Sequence, residues 1–257
     1  INFVDMPNAV QSNISITSNV KLKMSDPDYH AVLIANKIFG GGFNSYLNMN
    51  LREENGWTYG ARSSIARNKW TSATFRASTS VRNAVTDSAV VETLKEINKI
   101  RDEFVTDEML ASAKAKYLGN FIMSTENKSL LADFAVNIKS LNLPDDFYET
   151  FIEKIDAVSK EDVKRIANKY LKPKNLRIIV VGKGVDVADK LENINYEGSL
   201  LPVKYFNKVG EQIEKPVFAK EIDASLTVKS IFDKHLSAIG GIEKINSVTS
   251  ISVTAAV

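Results

Sequence analysis

Residues Gly40 to Tyr59 read GGGFNSYLNMNLREENGWTY, and the rest of the chain is arranged around them. Gly40, Gly41 and Gly42 end one helix, and a second is expected from about Ser45 to Glu54. Leu47, Leu51 and Tyr46 share an apolar side of it, while Arg52, Glu53 and Glu54 close its last turn. Asn55-Gly56 is a turn signal and Trp57 opens a strand. An Arg at a helix end therefore precedes, by seven residues, a Tyr on the next strand. Residue type alone makes these a solvated base and a strand aromatic.

Outward from this junction the pattern is regular. Ile14, Ile16 and Val20 mark a half-buried strand from Asn13 to Val20. Asp26-Pro27-Asp28 opens a helix whose stripe is Val32, Ala35 and Phe39, with Ile34 and Ile38 alongside. Downstream, Trp57–Arg67 and Trp70–Ser80 read as adjacent strands with a candidate hairpin turn at Asn68-Lys69. In the second strand Thr71, Ala73, Phe75, Ala77 and Thr79 share one face. Three helical rows follow: Val90, Leu94, Ile97 and Arg101; Leu110, Ala113, Tyr117 and Phe121; Leu131, Phe134, Ile138 and Leu141. Ser159 to Asp162 matches a capping box, and Leu176 to Val181 (LRIIVV) is a continuous apolar strand. Strands first, helices in the middle and a returning strand imply an α+β domain of two layers.

The remainder looks separate. We place residues 1–192 in one domain and 193–257 in a linker and truncated accessory domain, because Asn193 to Ser199 is polar and turn-rich. A hairpin is expected around Lys208 to Gly210. An amphipathic helix follows from Ser225 to Ile239, stopped by Gly240-Gly241, with His235 packed at its core edge. Ser247 to Val257 reads as a strand without partners. A chain that starts without Met and ends on strand-like sequence looks cut from something longer.

Composition narrows the function. The 257 residues carry 44% hydrophobic and 25% charged side chains with net charge +2, as expected of a globular protein with a real core and no field suited to nucleic acid. Without cysteine, disulfides and thiolate chemistry are excluded. No run approaches the roughly 18 apolar residues of a membrane span, and no signal peptide is visible. His30 and His235 are more than 200 residues apart, so no H-x-x-E-H zinc site is built and no metal ligands are assigned.

The central stretch, GGGFNSYL followed by L-R-E-x-x-G-x-x-Y-G, resembles the non-zinc, C-terminal half of the pitrilysin/insulinase family of zinc metallopeptidases. Gly41, Gly42, Ser45, Leu47, Leu51, Arg52, Glu53, Gly56 and Tyr59 carry the match, and the order of elements extends it loosely to Gly182. Tyr46 departs, since many relatives have Arg there. The resemblance implies a mostly antiparallel sheet backed by helices. It also implies a homologous zinc-bearing half, in the same polypeptide or a separate subunit, closing around a peptide or small protein substrate. Tyr59 would then be the catalytic oxyanion donor, and Arg52 with Tyr59 would bind substrate backbone. Cofactor zinc would lie in the other half, leaving this chain alone inactive. The strand after Trp57 would offer a lip for an extended peptide. A periplasmic or cell-envelope location follows from the same resemblance. The tail is similar to the start of an extra domain in Bacteroidetes members. The alternative is a non-catalytic structural or peptide-binding subunit derived from the family.

Overall fold

The computed structural model describes residues 1–66, 70–218 and 226–253, and these fall into two compact units, Ile1–Pro216 and Val217–Val257. The first unit contains strands β1 (Asn2–Asp5), β2 (Gln11–Val20), β3 (Ala61–Ala66), β4 (Ala73–Arg82) and β5 (Arg177–Gly182). Its helices are α1 (Tyr29–Phe39), α2 (Tyr46–Asn48), α3 (Thr86–Asp102), α4 (Asp107–Ser124), α5 (Lys128–Ser140), α6 (Phe151–Asp156), α7 (Lys160–Tyr170) and α8 (Gly184–Glu192). Short strands β6 (Asn195–Tyr196), β7 (Ser199–Leu200), β8 (Lys204–Phe206) and β9 (Gln212–Ile213) complete it.

One seven-stranded sheet runs β3-β4-β2-β5-β1-β8-β9. It is antiparallel except where β1 pairs in parallel with β5 and β8. Alternation decides its faces: Ser12, Ile14, Ile16, Ser18 and Val20 of β2 are buried, as are Ala73, Phe75, Ala77, Thr79 and Val81 of β4. These meet Val32, Ile38 and Phe39 of α1 and Val90 and Ile97 of α3 in the core. The α+β two-layer reading of the sequence therefore holds.

Several local expectations shift. Helix α2 runs directly into a π-helical turn, Met49–Glu54, instead of remaining α-helical to Glu54. Strand β3 starts at Ala61, not Trp57, because Gly56 (φ +62°) and the Thr58 loop turn the chain first. The hairpin turn expected at Asn68-Lys69 lies outside the described residues. No α5 residue is buried, although Phe134 stacks on Phe121 and Tyr148 at 6.0 and 3.7 Å. Helices α6 and α8 were not foreseen, since neither shows three full turns of apolar spacing. The capping box at Ser159 and Asp162 forms as expected.

The boundary expected after Glu192 falls within the first unit. There β8 adds to the main sheet beside β1, and Tyr205 donates to Glu192 at 2.6 Å. The second unit contains α9 (Val228–Ala238) and α10 (Gly241–Asn246), separated by Gly240 at φ +106°. None of its described residues is buried; Phe232 is exposed, and so is His235, contrary to the core-edge reading. A pair of short helices has too little surface to enclose a side chain. The described part of the expected last strand, Ser247–Val253, forms no strand.

Two contacts hold the central stretch against this frame. The carbonyl of Gly40 accepts from the amide of Ser63 at 2.9 Å, joining the end of α1 to β3. A Cβ at Gly40 would stand 2.6 Å from that amide nitrogen and 2.7 Å from the Ser63 Cβ, where backbone leaves no room. Gly40→Ala should therefore destabilise the first unit by about 1–3 kcal/mol, through overpacking rather than strain in φ. Urea unfolding measures this; a loss within about 0.5 kcal/mol, the ordinary range for surface changes, would refute the close approach.

Candidate functional site

The site is built on buried polar side chains that the apolar pattern passes over. Asn48 is fully buried: its amide donates to the Phe43 carbonyl at 2.8 Å. Its Oδ1 accepts from Arg62 at 2.8 Å and from the Ala61 amide at 3.3 Å. Asn50 donates to Glu96 at 2.7 Å and Glu92 at 3.1 Å, and its Oδ1 accepts from Asn55 at 3.0 Å. The helical turn is thus tied to β3 on one side and α3 on the other. Burial pushes the Glu96 carboxyl up, and its Oε2 has no partner; Asn50 and Lys99 oppose the shift. Burial also acts on Glu92, but bonds from Lys95 and Asn50 outweigh it and lower its pKa.

Arg52 sits in the π-helical turn, a geometry frequent at functional sites. Its side chain is 36% exposed, lies 4.7 Å from the Phe43 ring centroid and pairs with Glu53 at 3.2 Å. Being partly exposed, the ion pair contributes little stability, while the aromatic face narrows the directions the guanidinium takes. The turn closes when Gly56 and Trp57 donate to the carbonyls of Arg52 and Leu51, both at 3.0 Å.

Tyr59 follows on a pinned loop. The Thr58 hydroxyl donates to the Gly60 carbonyl at 3.0 Å, accepts from the Gly60 amide at 3.1 Å, and meets the Thr79 hydroxyl at 3.0 Å. Thr58 faces the sheet, and Tyr59 faces out, 93% exposed. Its hydroxyl has no hydrogen bond, and no contact joins it to Arg52, among the described residues. The two side chains are close in sequence and share one junction, but they do not touch.

β3 is an edge strand, yet its outer side is already occupied at the start. Besides the bonds from the Ala61 and Ser63 amides, the Ser63 carbonyl accepts from Asn36 at 3.4 Å. An added peptide strand would find free backbone only beyond Ser63, which narrows the expected lip. Sequence reading missed Asn48, Asn50 and Thr58 as positioning residues; polar side chains inside an apolar helical pattern were the available signal.

Among the described residues no group of three His, Asp or Glu is placed to hold a metal ion. His30 is buried against Phe147 and Phe151, with ring centroids 5.4 and 5.0 Å away. No described helix is long and apolar enough to cross a membrane.

Residues 2–117 match the family model described as the peptidase M16 inactive domain. Among solved structures, the peptidase M16 inactive domain from Pseudomonas fluorescens aligns with TM-score 0.65 and 24% identity, over 71% of this chain and 43% of that one. A protease from Helicobacter pylori aligns with TM-score 0.64 and 17% identity, over 70% and 43%. The periplasmic protease PqqL from Escherichia coli aligns with TM-score 0.59 and 14% identity, over 70% and 20%. At these identities the likeness is one of fold, and the chain spans less than half the length of these proteins. No curated protein matches the chain in sequence. Residues 2–117 are thus similar to the peptidase M16 inactive domain, and the chain shares the fold of the solved structures above.

Proposed function

We propose that this chain is the substrate-binding, zinc-lacking half of a two-half zinc metalloendopeptidase. Its partner is a homologous zinc-bearing half, in the same polypeptide or a separate subunit, and its substrate is a peptide or small protein. The zinc in that partner supplies a Lewis acid and an activated water. This chain supplies Tyr59, whose phenol donates to the oxygen of the scissile carbonyl as negative charge develops there. Arg52 offers a planar donor fork to a neighbouring substrate carbonyl. One observation carries the reading: within the residues that match the M16 inactive-domain model, a solvated phenol with no partner among the described residues stands on a loop that Thr58 and Thr79 hold in place. Such a side chain does nothing for the fold and is free for a ligand.

A periplasmic or cell-envelope location belongs to the same proposal, supported by the fold shared with a periplasmic protease. We also propose that residues 193–257 form a linker and accessory region, although β8 joins the main sheet beside β1.

Arg52 provides the test of substrate binding. Its carbonyl partner exists in the ground state as well as the transition state, so Arg52→Ala should raise KM about ten- to a hundredfold and leave kcat nearly unchanged. Arg52→Lys keeps the charge but loses the fork and should recover only part of the loss. Steady-state kinetics with the zinc-bearing half decides; an unchanged KM in a folded Arg52→Ala protein removes Arg52 from the site.

A further inference from the structure

The sheet face turned away from the helices carries charge of one sign. Strands β2, β3, β4 and β5 contain no Asp or Glu, and their four arginines, Arg62, Arg76, Arg82 and Arg177, are all exposed. The register sets them on one face. Arg62 stands opposite Ser78, which stands opposite Ser15. In the next row Arg76 and Arg177 flank Thr17 on either side. None of the four pairs with a carboxylate among the described residues. Arg76 instead donates to the Ser15 hydroxyl at 2.9 Å, and Arg62 to Asn48 at 2.8 Å.

This face is concave. A hollow of about 680 Å³ is lined by Arg62, Arg76, Ser15, Thr17, Ile179 and Gly60, the residue directly after Tyr59. Elsewhere the surface mixes signs, with ion pairs such as Lys160 to Asp107 and Lys215 to Glu192, and the whole chain is only +2. The excess of positive charge therefore belongs to this face and not to the composition. A hollow lined by one sign over a low-dielectric core concentrates its field.

We infer that this face selects acidic peptide segments, which rests on the reading of the chain as half of a peptidase. Carboxylates complement the arginine forks bidentately, hydroxyls of Ser15, Thr17 and Ser78 accept or donate to backbone, and Ile179 and Val181 seat an apolar side chain. A nucleic acid fits less well: among the described residues that line the hollow there is no aromatic side chain on which bases would stack.

Fluorescence anisotropy on the full chain tests this with three labelled peptides of equal length, built from Ser and Gly with Glu, with Gln or with Lys. The Glu peptide should bind about tenfold tighter than the Gln peptide at low salt, since a few exposed pairs each contribute a fraction of that. The preference should shrink toward 0.5 M salt. Arg76→Ala with Arg177→Ala should abolish most of it, and Arg76→Glu with Arg177→Glu should favour the Lys peptide. Circular dichroism confirms the fold of each variant. Equal binding of all three peptides, no binding, or an unchanged preference in the double variants overturns the inference. A single-stranded oligonucleotide bound more tightly than the Glu peptide overturns it as well. Any of these leaves the peptidase-half reading to be decided by the Tyr59 kinetics.

Discussion

Tyr59→Phe, combined with a zinc-bearing half, should lower turnover about 10²–10³-fold with little change in KM. The effect is large because the negative charge that the phenol meets exists only along the reaction. Removing one oxyanion donor typically costs about 2.7–4 kcal/mol of transition-state stabilisation. The structure makes the control clean. The ring is 93% exposed and its hydroxyl has no partner among the described residues, so the change to Phe breaks nothing in the fold. The melting temperature should stay within a degree or so, as for a surface substitution. Normal turnover by the folded variant would turn the assignment toward a structural or peptide-binding subunit of the same family. Loss of turnover accompanied by loss of stability would instead make Tyr59 a support of the junction.

Acid should weaken the first unit well above the range where carboxylates titrate, and His30 should be the cause. The ring is 7% exposed, its Nε2 has no hydrogen-bond partner, and Tyr29, Phe147 and Phe151 surround it. Burial, with Lys154 nearby, lowers its pKa from 6.5 to about 4. The unfolded chain therefore takes up a proton below pH 6.5 that the folded chain refuses until about pH 4. Stability is fully present above pH 6.5 and falls as pH drops through that window. The ceiling is about 3 kcal/mol, and relaxation around the ring reduces it toward 1–2.

Asp28 acts lower. Burial raises its carboxyl, but Lys169, Arg165 and Tyr170 outweigh this and hold it at about 2, against 3.8. Its contribution is complete above pH 3.8 and is lost toward pH 2, so the two windows separate. Urea unfolding at pH 7, 6 and 5 reads His30, and both tryptophans, Trp57 and Trp70, report on the first unit. His30→Phe should flatten the slope between pH 7 and 5. An equal slope in parent and variant would show that the ring is hydrated or shares its proton.

Local order is what the sequence by itself determined. The end of α1 at Gly40, the turn at Gly56, the alternate burial of β2 and β4 and the capping box at Ser159 each depend on residues within a few positions of one another. Such features follow from backbone sterics and a 3.6- or 2-residue period. Arg52 and Tyr59 were visible for the same reason, because their spacing is local.

Tertiary structure decided the rest. Asp28 meets Arg165 across 137 positions, and Asn50 meets Glu96 across 46. The parallel placement of β1 between β5 and β8 also joins distant segments, as does the seating of Thr58 on Thr79 that turns Tyr59 outward. The arginine face belongs here too, since four residues on three strands share one side only once the register is set. Periodicity carries no information about which strand lies beside which. That choice is made by burying one continuous apolar layer, and the partners of each polar side chain follow from it.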